Sequence, residues 1–106
     1  MKVYTILKNA YEFDDFDYGD YYPCFLSLSK DKVIDQFNSI KEVEISSFNN
    51  AVKYYKDFIE KYPYRKEDFQ IAENTDEKLT IYLNNWCYEW KLAEYELDKL
   101  LEYHGK

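Results

Sequence analysis

Glycine, histidine and arginine are scarce in this chain. Its 106 residues contain two glycines, one histidine and one arginine. Because the only glycines are Gly19 and Gly105, the sequence has no glycine-rich loop that could cradle a phosphate. The single histidine, His104, lies near the C-terminus, where chain ends are usually frayed. This position argues against a Ser-His or Cys-His catalytic pair, and we expect no enzyme activity.

Cysteines and long apolar runs are also scarce. No segment approaches the roughly eighteen apolar residues of a membrane-spanning helix. The first residues, MKVYTILKNAYEF, show neither the apolar run nor the cleavage site of a signal peptide. We therefore expect a cytoplasmic protein, with Cys24 and Cys87 as reduced, buried thiols. Because these cysteines and His104 lack paired ligand spacing, the sequence predicts no zinc site and no cofactor.

Tyrosine and acidic residues are abundant. Tyrosine supplies 13 of the aromatic residues, which make up 21% of the chain, and hydrophobic residues make up 46%. This composition predicts one globular domain over residues 1–106. The net charge of −7 argues against direct nucleic-acid binding and against binding to an anionic membrane. Tyrosine suits half-buried positions and interfaces, so the surface is expected to bind protein.

Local patterns predict most of the secondary structure. β-branched and aromatic residues indicate antiparallel strands over residues 2–7 and 21–28, with Pro23 placing the second strand at a sheet edge. Ser29 is predicted to cap a short helix over residues 30–38. The later segments predict, in chain order, an edge strand over residues 41–45, a helix from Ser46 or Ser47 to Pro63, and strands over residues 69–72 and 79–83.

Two structures compete for residues 86–103. Six residues fall on one apolar stripe about 100° wide on a helical wheel: Trp86, Trp90, Ala93, Leu97, Leu100 and Leu101. The alternative is a strand in which Trp90 alternates with charged neighbours, with a tight turn at Asn84-Asn85 and a bulge near Leu92. We favour the helix because the stripe persists for more than four turns.

These elements predict an α+β fold. The expected architecture is a small, mainly antiparallel sheet of three or four strands, with two or three helices packed on one face.

An acidic loop between the first two strands is the main candidate site. It carries five carboxylates interleaved with aromatic residues and has no cation between Lys8 and Lys30. A calcium loop starting at Asp15 fails, because Gly19 arrives one position early and the twelfth residue is Leu26. The loop is therefore either a solvated connection or a surface that imitates nucleic acid and binds a basic protein surface. The candidate partner-binding residues are Glu12, Asp14, Asp15, Phe16, Asp17, Tyr18, Asp20 and Tyr21.

Other motifs favour structural roles. Trp86 and Trp90 form either a stacking platform or, as we expect, part of the core. Glu89-Trp90-Lys91 has the E-x-K form of a nuclease family, but no Pro-Asp partner precedes it. The cations on and after the second helix are balanced by nearby acids and predict a solvated helix face: Lys53, Lys56, Lys61, Arg65 and Lys66.

The opening KVYTILK, the Tyr/Asp-rich first loop and the ending WKLAEYELDKL resemble small proteins encoded by phages and prophages of low-GC bacteria. This resemblance implies an inhibitor of host defence, such as an anti-CRISPR protein, that blocks a nucleic-acid channel. The expected partner is a larger protein with a basic surface, such as a nucleic-acid-binding defence effector. The alternative is a small homodimer in which the aromatic residues form the interface and the acidic loop provides solubility.

Overall fold

A five-stranded antiparallel sheet carries helices on one face. The computed structural model describes residues 1–13 and 20–97. The elements in chain order are strands β1 (Lys2–Glu12) and β2 (Tyr22–Ser27), helices α1 (Lys30–Tyr54) and α2 (Lys56–Lys61), a 3-10 helix (Pro63–Asp68), and strands β3 (Phe69–Asn74), β4 (Lys78–Leu83) and β5 (Trp86–Glu96). The strand order is β2-β1-β5-β4-β3. The predicted α+β class is confirmed.

The helix that we favoured over residues 86–103 is wrong, because residues 86–96 form the central strand β5. This strand pairs with β1 along its whole length, from Lys2 opposite Glu96 to Glu12 opposite Trp86. Asn84 has a φ of 58° in the turn between β4 and β5. Asparagine tolerates this left-handed conformation, so the turn matches the strand alternative. The sheet therefore has one more strand than the largest number predicted.

The spacing of the two tryptophans explains the error. Residues four apart share a face in a helix and also in a strand, so Trp86 and Trp90 do not distinguish the two structures. Tyr88 and Leu92 do distinguish them, because both lie on the face of Trp90 only in a strand. Leu100 and Leu101, which extended the helical stripe, lie outside the described residues.

Helix α1 is continuous where the sequence predicted a helix, a strand and a second helix. The strand expected over residues 41–45 and the helix start at Ser46 or Ser47 are therefore wrong. Core-facing residues recur at helical spacing through the region, from Phe37 and Ile40 to Ile45 and Phe48. No glycine or proline interrupts this stretch, so the helical pattern prevails over a five-residue alternation.

The predicted ends of several elements agree with the structure. The Ser29 side chain accepts a hydrogen bond from the Lys32 amide and caps α1. Helix α2 ends at Lys61, and Pro63 begins the 3-10 helix one residue further on, after Tyr62. Strand β2 pairs antiparallel with β1 and lies at a sheet edge, as Pro23 predicted.

The expected bulge near Leu92 is absent from β5, whose register with β1 is continuous. The register shifts lie in the edge strands instead. In β2, Leu7 pairs with Pro23 and Ile6 with Phe25, so Cys24 is the extra residue. In β3, Ala72 is skipped in the same way. Bulges in edge strands disfavour pairing with another sheet.

Helix α1 covers the core on the first face of the sheet. The core joins Val33, Phe37 and Phe48 of α1 with Ile6, Leu79, Ile81 and Trp90 of the sheet. Alternate residues of the strands point to the second face, on which no helix of the described residues packs. Buried residues of this second face include Thr5, Asn9 and Cys87. Within the described residues, no helix is sufficiently long and apolar to cross a membrane.

Trp90 and Trp86 offer a matched test of β5. Trp90 is 3% exposed and Trp86 is 39% exposed, although both lie on the same face of one strand. We expect Trp90→Ala to lower the free energy of unfolding by about 3–5 kcal/mol and Trp86→Ala by about 1 kcal/mol. Urea denaturation of the two variants checks this difference. Equal losses would contradict the placement of β5.

Candidate functional site

The acidic loop begins and ends at one end of the sheet. Glu12 is the last residue of β1, and Asp20 lies just before β2. The Phe13 amide donates to the carbonyl of Asn85 at 2.8 Å, which places the end of β1 beside the β4–β5 turn. We call the described residues Glu12, Phe13, Asp20 and Trp86 the acidic end. The predicted site residues Asp14, Asp15, Phe16, Asp17 and Tyr18 lie outside the described residues.

The acidic end presents carboxylates together with aromatic rings. Glu12 and Asp20 are exposed, and Phe13 is 40% exposed. The Phe13 ring packs edge-on against Tyr82, with 5.1 Å between ring centroids. Glu12 lies opposite Trp86 on the neighbouring strand, so the two side chains share a face. The sequence had not placed Trp86 in this surface, because the signal is a pairing register between distant segments.

Tyr21 contacts the second face of the sheet. Its hydroxyl donates a hydrogen bond to Glu89 Oε2, and Lys91 Nζ lies 3.9 Å from the centroid of its ring. Tyr21 is half-buried by these contacts. Of the predicted site residues that the structure describes, Glu12 and Asp20 thus remain exposed, whereas Tyr21 anchors the start of β2 to the central strand.

Glu89 is the centre of a polar cluster. Its side chain is 12% exposed, and Lys78 Nζ lies 3.5 Å from Oε2. The Cys87 thiol lies 3.8 Å from the other carboxylate oxygen, Oε1. With Tyr21, three donors surround this carboxylate, and such partners lower the cost of burying a charge. We call Tyr11, Tyr21, Lys78, Cys87, Glu89 and Lys91 the Glu89 cluster.

The tyrosines and the thiol of the Glu89 cluster are held in their protonated forms. Burial, followed by the hydrogen bond to Glu89, raises the pKa of Tyr21. A hydrogen bond with Cys87, followed by burial, raises the pKa of Tyr11. Burial also raises the pKa of the Cys87 thiol. A protonated thiol is a poor nucleophile, so these groups act as hydrogen-bond donors.

The E-x-K triplet is split between the two faces. Glu89 and Lys91 lie in the Glu89 cluster, whereas Trp90 is buried in the core, as expected. The same expectation for Trp86 is wrong, because this residue is 39% exposed at the end of β5. Among residues 1–13 and 20–97, no group of three or more histidine, cysteine or carboxylate side chains is arranged to hold a metal ion.

Three aromatic rings line up along β5 on the first face. Tyr88 lies between Trp86 and Trp90, with ring centroids 6.1 and 6.3 Å apart and interplanar angles of 17° and 23°. We call Trp86, Tyr88 and Trp90 the aromatic ladder. Lys8 Nζ lies 5.3 Å from the Trp90 ring centroid, in the geometry of a cation–π contact.

A cleft of about 280 Å³ lies between α1 and the aromatic ladder. Glu44 and Ser47 of α1 form one wall, and Ile81, Tyr88 and Trp90 form the sheet side. Burial, together with the nearby Glu44 carboxylate, raises the pKa of Tyr88. Sequence reasoning missed Lys8, Glu44 and Tyr88, because only the fold brings these three residues to one place.

The cations of the second predicted helix do not form one patch with a common role. Arg65 pairs with Asp68 and donates to Asn84 Oδ1 at 2.8 Å, which braces the β4–β5 turn. Its guanidinium also lies 5.4 Å from the Phe58 ring centroid. Lys53, Lys56, Lys61 and Lys66 are exposed.

Comparison with known proteins gives no match: no family model fits the chain, no curated protein is similar in sequence, and no solved structure is similar in fold. The function therefore has to be inferred from the residues of this chain.

Tyr21→Phe tests the anchoring hydrogen bond to Glu89. We expect a loss of roughly 1 kcal/mol in the free energy of unfolding near pH 7, because hydrogen bonds to charged groups stabilise modestly. The raised pKa of Tyr21 favours the protonated phenol in the folded state. This contribution is complete below about pH 10, the ordinary tyrosine pKa, and is lost as the pH rises through the folded-state value.

The measurement is urea denaturation of both proteins from pH 7 to pH 11. The stability difference should be constant up to about pH 9 and should then shrink. Tyr22→Phe is the matched control, since Tyr22 is 50% exposed and should give little change at any pH. A difference that grows with pH would contradict the assignment.

The two thiols should differ in reactivity. Both were expected to be buried, but Cys24 is exposed at the bulge of β2 and only Cys87 is buried. We expect an aromatic disulfide reagent to label one thiol per native chain and two per unfolded chain. The Cys24→Ser variant should react only after denaturation. Labelling of native Cys24→Ser at the wild-type rate would show that Cys87 is accessible.

Proposed function

We propose that this chain is a binding protein, not an enzyme, and that its acidic end occupies a basic, nucleic-acid-binding surface of a larger protein. The observation that carries the proposal is the exposure of aromatic rings and carboxylates together at one end of the sheet. Phe13 and Trp86 are each about two-fifths exposed at that end, on opposite faces of the sheet, and Glu12 and Asp20 are exposed there as well. Exposed aromatic residues of this kind supply much of the binding energy in protein interfaces.

The charge of the chain supports a basic partner. A net charge of −7 repels nucleic acid and anionic lipid, but it attracts a surface rich in lysine and arginine. Five carboxylates lie between Lys8 and Lys30 without an intervening cation in the sequence. The two that the structure describes are Glu12 at the end of β1 and Asp20 before the start of β2. Carboxylates so concentrated can pair with the side chains that a nucleic-acid-binding protein uses for phosphates.

A phage-encoded inhibitor of a host defence enzyme is the biological role that we propose for such a protein. It would act in the bacterial cytoplasm, where its target handles nucleic acid. Blocking a channel requires only a stable complex, so this role needs neither a nucleophile nor a cofactor.

The test is capture of a partner by the immobilised chain from a lysate of a low-GC bacterium. We expect a nucleic-acid-binding protein to be retained and to be released by duplex DNA or RNA. The Asp14→Asn, Asp15→Asn, Asp17→Asn triple variant should bind the purified partner at least about tenfold more weakly, because it removes three charges from the contact. Its thermal stability should be unchanged.

The matched control is the triple variant Asp35→Asn, Asp57→Asn, Asp76→Asn. These three residues are exposed on α1, on α2 and in the β3–β4 turn, so the change in net charge is identical. The control should retain wild-type affinity. Equal weakening in both triple variants, or none in either, would refute a localised acidic surface.

A homodimer is the second candidate. Leu26 is 57% exposed and Tyr95 is 42% exposed, and both lie on the second face of the sheet near Val3. A second copy of the chain would bury this strip. Sedimentation over a range of concentrations separates the two functions, because the proposed binding protein stays monomeric without its partner.

A further inference from the structure

We infer that the Trp86–Tyr88 end of the aromatic ladder, with Glu44, is the binding site for an arginine side chain of the basic partner. The inference deepens the proposed function and rests on it, since it identifies the kind of side chain that the partner inserts. The site would add a short-range, directional contact to the long-range attraction of the acidic loop.

The aromatic ladder begins at the acidic end and runs into the cleft. Trp86 lies opposite Glu12, and Tyr88 lies opposite Ala10 on β1. Tyr88 is only partly buried, and it lines the cleft between α1 and the sheet. A side chain that approaches the acidic end can therefore follow the rings into the cleft of about 280 Å³.

The protein already binds one of its own cations at the inner end of the ladder. The Lys8 ammonium lies over Trp90 at 5.3 Å, within the distance at which the ring attracts a cation. Trp86 carries the same indole ring as Trp90 and is 39% exposed, and the Tyr88 ring lies nearly parallel to it. The outer end of the ladder thus offers the chemistry that Lys8 uses at the inner end.

Glu44 supplies the opposite charge. It lines the cleft with Tyr88 and with Lys8, whose ammonium lies over the Trp90 ring, and the Glu44 carboxylate is near enough to raise the pKa of the Tyr88 phenol. A cation placed between them would contact a carboxylate on α1 and a ring on β5. Charge on one side and a ring on the other is the arrangement that suits a guanidinium.

Arginine fits this site better than the other occupants that stack on aromatic rings. A nucleotide would bring phosphate close to Glu44 and to a chain of net charge −7. The ammonium of lysine is compact and not planar. It therefore cannot stack flat on a ring and make two parallel hydrogen bonds to a carboxylate at the same time. Arginine does both, and a nucleic-acid-binding surface displays it in abundance.

The experiment measures binding of fluorescein-labelled nona-arginine and nona-lysine to the full chain by anisotropy. We expect nona-arginine to bind several-fold more tightly than nona-lysine. Glu44→Gln and Trp86→Leu should each weaken nona-arginine binding by about three- to tenfold and should reduce the preference over nona-lysine. An unlabelled oligothymidylate of ten nucleotides should not compete.

Glu60→Gln is the matched control. Glu60 is exposed on α2 and gives the same change in charge as Glu44→Gln, but it is outside the cleft. The affinity of the Glu60→Gln variant for nona-arginine should equal that of the wild type. Thermal melts should show that all variants remain folded. Glu44 is half-buried and is not among the buried core residues of α1, so the Gln variant keeps the inference testable if Trp86→Leu unfolds.

The inference is overturned if Glu44→Gln binds nona-arginine as tightly as Glu60→Gln, or if the oligothymidylate binds the cleft in preference to the peptide. Neither result tests the role that we propose for the acidic loop. The proposed function fails separately, through unchanged partner capture by the Asp14, Asp15 and Asp17 triple variant. The two sets of variants therefore distinguish the two failures.

Discussion

The pairing of β1 with β5 over eleven residues of each strand is the constraint on which the rest of the structure depends. Each residue of one strand is fixed opposite one residue of the other, and a shift by one position would exchange the two faces of the sheet. Trp90 would then leave the core, and Glu89 would enter it. An unpaired carboxylate in that core would cost several kcal/mol, so the burial pattern of the two strands selects a single register.

This register also divides the chemistry of β5 between the two faces. Trp86, Tyr88 and Trp90 face α1, and Cys87, Glu89 and Lys91 face the second side. The second-side residues hold Tyr21 and so fix where β2 starts. The ladder residues lead from the acidic end into the cleft. One strand thus anchors the returning end of the acidic loop and also forms the surface beside it.

The sequence allowed prediction of features that depend on near neighbours. The Ser29 cap, the stop at Pro63 and the edge position of β2 all follow from the chemistry of one or two residues. Residues 86–96 could not be decided in this way, because an i, i+4 pair of tryptophans satisfies both periodicities. The cleft could not be predicted for a different reason. Lys8, Glu44 and Tyr88 are brought together only by the register of β1 with β5 and by the path of α1.

In the proposed complex, the acidic loop and the aromatic ladder contribute at different distances. Carboxylates act over about 8 Å at physiological salt, so they speed the encounter and are weakened by added salt. A guanidinium between Glu44 and Tyr88 would be partly shielded from water, and a pair in such a place is screened much less. Exposed charge alone would give a complex that dissociates as the ionic strength rises. A complex that survives competition with nucleic acid needs the shielded contact as well, and in the proposed complex the ladder would provide it.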